Sequence, residues 1–146
     1  MDQHEIMYKV EQLLEDSKTG VLATVDETGS PRMRWMTPIV LKGRPGALFA
    51  VTSPDFGKVV QLASHPDVEW MIQTRSLNQV VTLRGKINIL DNPSIKAEVM
   101  ETLAKRLTVF WKVNSKKTDF IVLETVLSEA TYFQPMKGQK EIVKMG

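Results

Sequence analysis

The sequence of 146 residues contains no cysteine, which removes disulfides, thiolate nucleophiles and every cysteine-ligated metal site. Histidine is nearly absent too: His4 and His65 lie far apart with no acidic cluster beside either, so no metal site is expected. An excess of charge of one sign is lacking, since 19 basic and 17 acidic residues leave a net charge of +2, and no global field favours nucleic acid. No apolar run approaches the roughly eighteen residues of a membrane span. The N-terminal stretch MDQHEIMYKVEQLLEDSK mixes charged with apolar residues, unlike a signal peptide, so the expectation is a cytoplasmic protein without a membrane partner. Catalytic signatures are missing as well. There is no G-x-S-x-G, H-E-x-x-H or P-loop, and the glycines never form G-x-G-x-x-G, so an enzyme relying on protein groups alone is not expected.

What is present fits one folded domain spanning residues 1–146, with 42% hydrophobic and 25% charged residues. Ile6, Met7, Val10, Leu13 and Leu14 recur at helical spacing over Asp2 to Asp16, with Gly20 as the expected stop. Strand-like runs follow at Val21–Val25, Pro31–Leu41 and Ala47–Thr52, joined by turn residues. Ser53-Pro54-Asp55 reads as a helix start. Val68–Thr74 and Gln79–Leu90 read as longer strands, and Gly85 inside the second predicts a bulge or a bend. A helix is predicted from Ser94 to about Leu107, then strands Phe120–Leu127 and Ala130–Gln134 joined across Ser128-Glu129, then a polar tail from Lys137. Strands linked by short turns with three peripheral helices predict a mainly β fold, a small closed or split β-barrel.

Chemistry concentrates in Gly20–Lys58, which holds Arg32, Arg34, Lys42, Arg44 and Lys58 against only Asp26, Glu27 and Asp55. A period of two sets Arg32, Arg34 and Met36 on one face of their strand and Met33, Trp35 and Thr37 on the other. Hydroxyls of Thr52 and Ser53, a helix N-terminus and the Lys58 ammonium suit a phosphate monoester. The same residues also fit a solvated edge strand followed by a capped helix with a surface lysine, and residue pattern alone leaves both readings open. A single-strand nucleic-acid surface built on Arg32, Arg34 and Trp35 is the weakest reading, given the near-neutral charge.

The ordered motifs add more. G-x-P-x-x-R-x-M at Gly29–Met36, F-A-V-T-S at Phe49–Ser53 and K-V-V-Q-L-A-S-H-P at Lys58–Pro66 resemble the FMN-binding split barrels related to pyridoxamine 5′-phosphate oxidase, in particular their general stress protein branch. The resemblance implies a homodimer with FMN in clefts between subunits. It implies that Arg34, Trp35, Met36 and Thr37 run along the flavin, that Val51, Thr52 and Ser53 end the next strand of the site, that Lys58 binds phosphate, and that Gln79 matches a later glutamine. Gly57 and Ile39 stand where the oxidases carry an arginine and a lysine, and Gln134-Pro135-Met136-Lys137 replaces their arginine-containing substrate segment. The resemblance therefore implies a flavin oxidoreductase of another substrate, with a non-catalytic flavin-binding sensor or a deazaflavin-dependent reductase as alternatives, and not pyridoxamine phosphate oxidation itself.

Overall fold

A computed structural model describes residues 1–53, 65–106 and 120–146. Helix α1 (Gln3–Ser17) starts at Asp2, whose carboxylate accepts the Glu5 backbone N–H at 2.8 Å. Its apolar stripe, Ile6, Val10, Leu13 and Leu14, is fully buried. The helix ends at Lys18 rather than at Gly20: Lys18 adopts φ 65° and its N–H bonds the Leu14 carbonyl. Gly20 opens the first strand instead, where a Cβ would lie 3.0 Å from Ile72 Cγ1. Lysine tolerates the left-handed conformation poorly, so Lys18→Gly is expected to raise stability by about 0.5–1 kcal/mol in urea unfolding. The exposed Lys18–Glu15 ion pair lost with it contributes little.

Seven strands are described: β1 (Gly20–Val25), β2 (Pro31–Met36), β3 (Ala47–Thr52), β4 (Asp67–Gln73), β5 (Val80–Leu90), β6 (Ile121–Gln134) and β7 (Gln139–Lys144). They form one antiparallel sheet in the order β2-β1-β4-β5-β6-β3, with β7 also pairing β6. The sheet is not closed. Between its end strands β2 and β3 a single antiparallel bridge joins Ile39 to Phe49, through N–H···O bonds of 2.8 and 2.9 Å. The run predicted as one strand to Leu41 therefore ends as a ladder at Met36, because beyond Thr37-Pro38 the chain leaves β1 and reaches over to β3.

The last strands differ most from expectation. Ser128-Glu129 is not a turn: β6 is continuous for 14 residues, and Ser128 is the extra residue of a bulge, since Arg84 pairs Glu129 while Gly85 pairs Leu127. Inward residues accordingly change phase, from Leu123, Thr125 and Leu127 to Ala130 and Tyr132. On its other edge β6 pairs β3 before the bulge and β7 after it. The expected tail is thus an edge strand with Val143 turned inward. Gly85 faces the kink, where a Cβ would lie 2.3 Å from the Val126 carbonyl oxygen.

Two clusters make the core. The inner one packs α1 against Leu22, Leu48, Trp70, Ile72, Leu83, Leu123 and Tyr132, and within it Trp70 donates its indole N–H to Thr125 Oγ1 at 2.9 Å. The outer one packs helix α2 (Pro93–Arg106), capped by the Asn92 side chain, against Phe49, Val51 and Val122. Strand β3 is consequently buried on both faces, which explains its unbroken apolar run. The helix start at Pro54-Asp55, Lys58, and the aromatic pair Phe110 and Trp111 lie outside the described residues.

Candidate functional site

The β1–β2 hairpin is locked at its turn by Asp26. Its carboxylate accepts the Thr28 hydroxyl at 2.6 Å, the Thr28 and Ser30 N–H groups at 2.9 and 3.0 Å, and Arg32 Nε at 2.9 Å. These bonds, led by the Thr28 hydroxyl and then Arg32, hold its pKa far below the ordinary carboxylate range. A depressed folded pKa contributes stability that is present above the unfolded value of about 4 and is lost as pH falls below it. Asp26→Asn is therefore expected to be less stable than the parent at neutral pH, with the gap closing between about pH 4 and lower values. Urea midpoints across that range test this, and a gap independent of pH contradicts it.

This network commits Arg32 to the hairpin. Arg44 lies 3.9 Å from Glu124, so the basic cluster read from sequence is largely dispersed into local ion pairs. Arg34 is placed differently. Its partly buried side chain lies on the inward face of β2, and Nη2 donates to the buried Thr24 Oγ1 at 2.9 Å. Burial first, and then the charge of Arg32, lower its pKa below the usual arginine value. A guanidinium in that setting gains from an anion brought within reach, because negative charge offsets both lost hydration and repulsion.

The Ile39–Phe49 bridge brings the other predicted residues together. Counting back from Ile39 reaches Thr37 and Met36; counting on from Phe49 reaches Val51 and Thr52. Both sets lie within about 10 Å of the bridge along their strands, on the side where β2 and β3 part. Met36 and Val51 are buried, Thr37 and Thr52 partly exposed, and Ser53 exposed. Trp35 belongs to the opposite face of β2 from Arg34 and Met36 and stands exposed. Ile39 packs in the outer cluster, so an aliphatic side chain fits where the oxidases carry lysine.

Gln79 is set apart. It closes the β4–β5 hairpin, three strands from β2 in sheet order, and its Oε1 accepts the Tyr132 hydroxyl at 2.7 Å. Lys58 lies outside the described residues. Thr24 and Tyr132, which hold Arg34 and Gln79, were not singled out from sequence. Thr24 falls on the inward period of β1 and was legible in principle, whereas Tyr132 meets Gln79 only through β5–β6 pairing. Among the described residues no three histidine, aspartate or glutamate side chains gather as a metal site, and no helix is long and apolar enough to cross a membrane.

A strand-borne arginine at the open seam of a split sheet can be compared with known proteins. The family model for pyridoxamine 5′-phosphate oxidase matches residues 6–134. The chain belongs to this family. No curated protein matches it significantly. Among solved structures, a Clostridium acetobutylicum protein described as related to general stress protein 26 of B. subtilis is similar with a TM-score of 0.73 at 16% identity, covering 99% of this chain and 97% of that one. A haem-binding protein from Mycobacterium smegmatis gives 0.71 at 19% identity, covering 93% of this chain and 56% of that one. An FMN-binding, oxidase-related protein from Nostoc punctiforme gives 0.64 at 13% identity, covering 95% of each chain. At such identities the structural likeness establishes the split-barrel fold alone.

Proposed function

We propose that this pyridoxamine 5′-phosphate oxidase family member binds FMN as a homodimer and acts as an oxidoreductase on a substrate other than pyridoxamine phosphate. The observation that carries the reading is Arg34, a part-buried cation held by Thr24 beside the open seam between β2 and β3. Arg34, Met36 and Thr37 on one side of the seam and Val51, Thr52 and Ser53 on the other are the positions that the motif resemblance implies for the flavin. Lys58 enters by that resemblance alone, as the proposed phosphate-binding cation. Trp35, on the outer face, borders the same seam from the side open to a second subunit. When bound, the flavin supplies hydride or electron transfer, and the protein contributes binding, orientation and shielding from water. Arg34 would hold anionic charge, and the Thr37 and Thr52 hydroxyls would orient polar edges.

The absorbance spectrum of the purified protein, with mass identification of any released cofactor, tests the reading. FMN is expected; haem, a deazaflavin, or no chromophore even after incubation with FMN overturns it. Oxidation of NADH by the FMN-loaded protein separates an oxidoreductase from a binding module.

A further inference from the structure

Past the bulge, β6 and β7 turn one face toward α1 and leave a cleft of about 510 Å³ between them and the helix. That volume suits a small molecule. Register sets Tyr132 opposite Glu141 and Gln134 opposite Gln139, and the period of two puts Gln139 and Glu141 on the same face of β7 as the inward Val143. Lys9 of α1 borders the cleft from the helix side. Its ammonium lies 5.6 Å from the centroid of the buried Tyr132 ring, while the Tyr132 hydroxyl is already bonded to Gln79 at 2.7 Å. The ring face is therefore what Tyr132 offers the cleft.

Charge narrows the occupant. Lys9 and Glu141 both act on Tyr132, Lys9 from over its ring and Glu141 through a negative charge that, after burial, pushes the phenol above its ordinary pKa. They do not pair with each other, and among the described residues neither forms an ion pair. Lys144 and Glu129, opposite each other on the same β6–β7 ladder, do join. A simple anion in the cleft gains at Lys9 and loses at Glu141, and a simple cation does the reverse. A molecule carrying both charges gains at both. Lys140 alternates to the other face of β7 and adds a charge only at the rim. Free α-amino acids are the smallest common zwitterions, and the Gln134 and Gln139 amides can donate to and accept from a polar side chain.

We infer that this cleft is a ligand site of its own, taking a free α-amino acid with its carboxylate at Lys9 and its ammonium at Glu141. It does not rest on the flavin reading: the seam draws on β3, which pairs the first half of β6, whereas the cleft lies on the second half, beside β7. Titration of nitrogen-15-labelled protein with each standard L-amino acid in turn tests it by nuclear magnetic resonance. At least one is expected to bind with a dissociation constant of about 1 mM or tighter and to shift the amide signals of Lys9, Tyr132 and Glu141. The N-acetyl derivative of that amino acid lacks the ammonium, and its amide lacks the carboxylate. Each is expected to bind about tenfold or more weakly, as is the parent amino acid to Lys9→Met or Glu141→Gln. Lys9 is half-buried and Glu141 exposed, so both variants are expected to fold, with melting temperatures as the check. Binding by no amino acid overturns the site, and so does unchanged affinity in the two folded variants. Equal binding by either derivative overturns the two-charge recognition, and shifts centred on Thr37 and Thr52 overturn the location.

Discussion

Gly85→Ala is expected to be the most damaging small substitution in the protein, costing about 4 kcal/mol or preventing folding altogether. Its Cβ would sit 2.3 Å from the Val126 carbonyl oxygen and 2.9 Å from Thr125 Cγ2. The first of these contacts is backbone, which no rotamer change can relieve. Moving it means shifting β6 at its bulge, where Gly85 pairs Leu127 and Ser128 is the extra residue. Thr125, the side chain that would be pushed, also accepts the buried Trp70 N–H, so relaxation puts a core hydrogen bond at risk. For a domain near this size, 4 kcal/mol corresponds to a melting-temperature drop on the order of 10 °C or more. Gly43→Ala is the control: nothing lies within 4 Å of the Cβ it would add, and its melting temperature should match the parent's. A Gly85→Ala variant as stable as that control contradicts the close approach of β5 and β6.

Removing both proposed anion ligands, in the variant Arg34→Ala with Lys58→Ala, is expected to weaken FMN binding by about 100-fold or more. Hydrogen bonds to a charged group typically contribute about 1.5–3 kcal/mol each, so either change alone should give a loss of roughly 10- to 100-fold. The two need not add if they hold one phosphate together. Arg32→Ala separates a specific site from a general loss of positive charge. Arg32 bonds Asp26 in the hairpin, so its removal should lower stability while leaving FMN affinity within about threefold. FMN titration followed by flavin fluorescence reads the affinity of the double variant, the two single variants and Arg32→Ala. Unchanged affinity in the double variant overturns the assigned site, and an equal loss in Arg32→Ala reduces it to net charge.

Local chemistry explains why some of this could be read from sequence. The stripes of α1 and α2, the Asn92 cap and the first hairpin all depend on neighbours a few residues away, as does the alternation that parts Arg34 from Trp35. Elsewhere the controlling contact is distant. Ser128-Glu129 has the composition of a turn, and only pairing with Arg84 and Gly85 makes it a bulge. Residues 139–144 look like a tail because an edge strand with one inward side chain, Val143, carries little apolar signal. Lys18 took the helix stop from Gly20 because the glycine is needed two residues later, against Ile72. At the site, the motifs named the candidate residues, but the ion pairing of Arg32 and the tie between Gln79 and Tyr132 follow from how the strands pair.

Strand β3 has consequences for how the protein is made. Its ladder partner is the first half of β6, with Thr52 opposite Ile121, so about seventy residues must be synthesised after β3 before it can pair along its length. Until then the Ile39–Phe49 bridge is its one described strand contact. Contacts this far apart in sequence pay for loop closure before they are rewarded, and they form slowly. On the ribosome, the β1–β2 hairpin that carries Arg34 can be complete while Val51 and Thr52 still lack their sheet. The seam proposed to hold the flavin is thus finished last, after β6 has emerged, and a nascent chain must do without the cofactor as a template for its own folding.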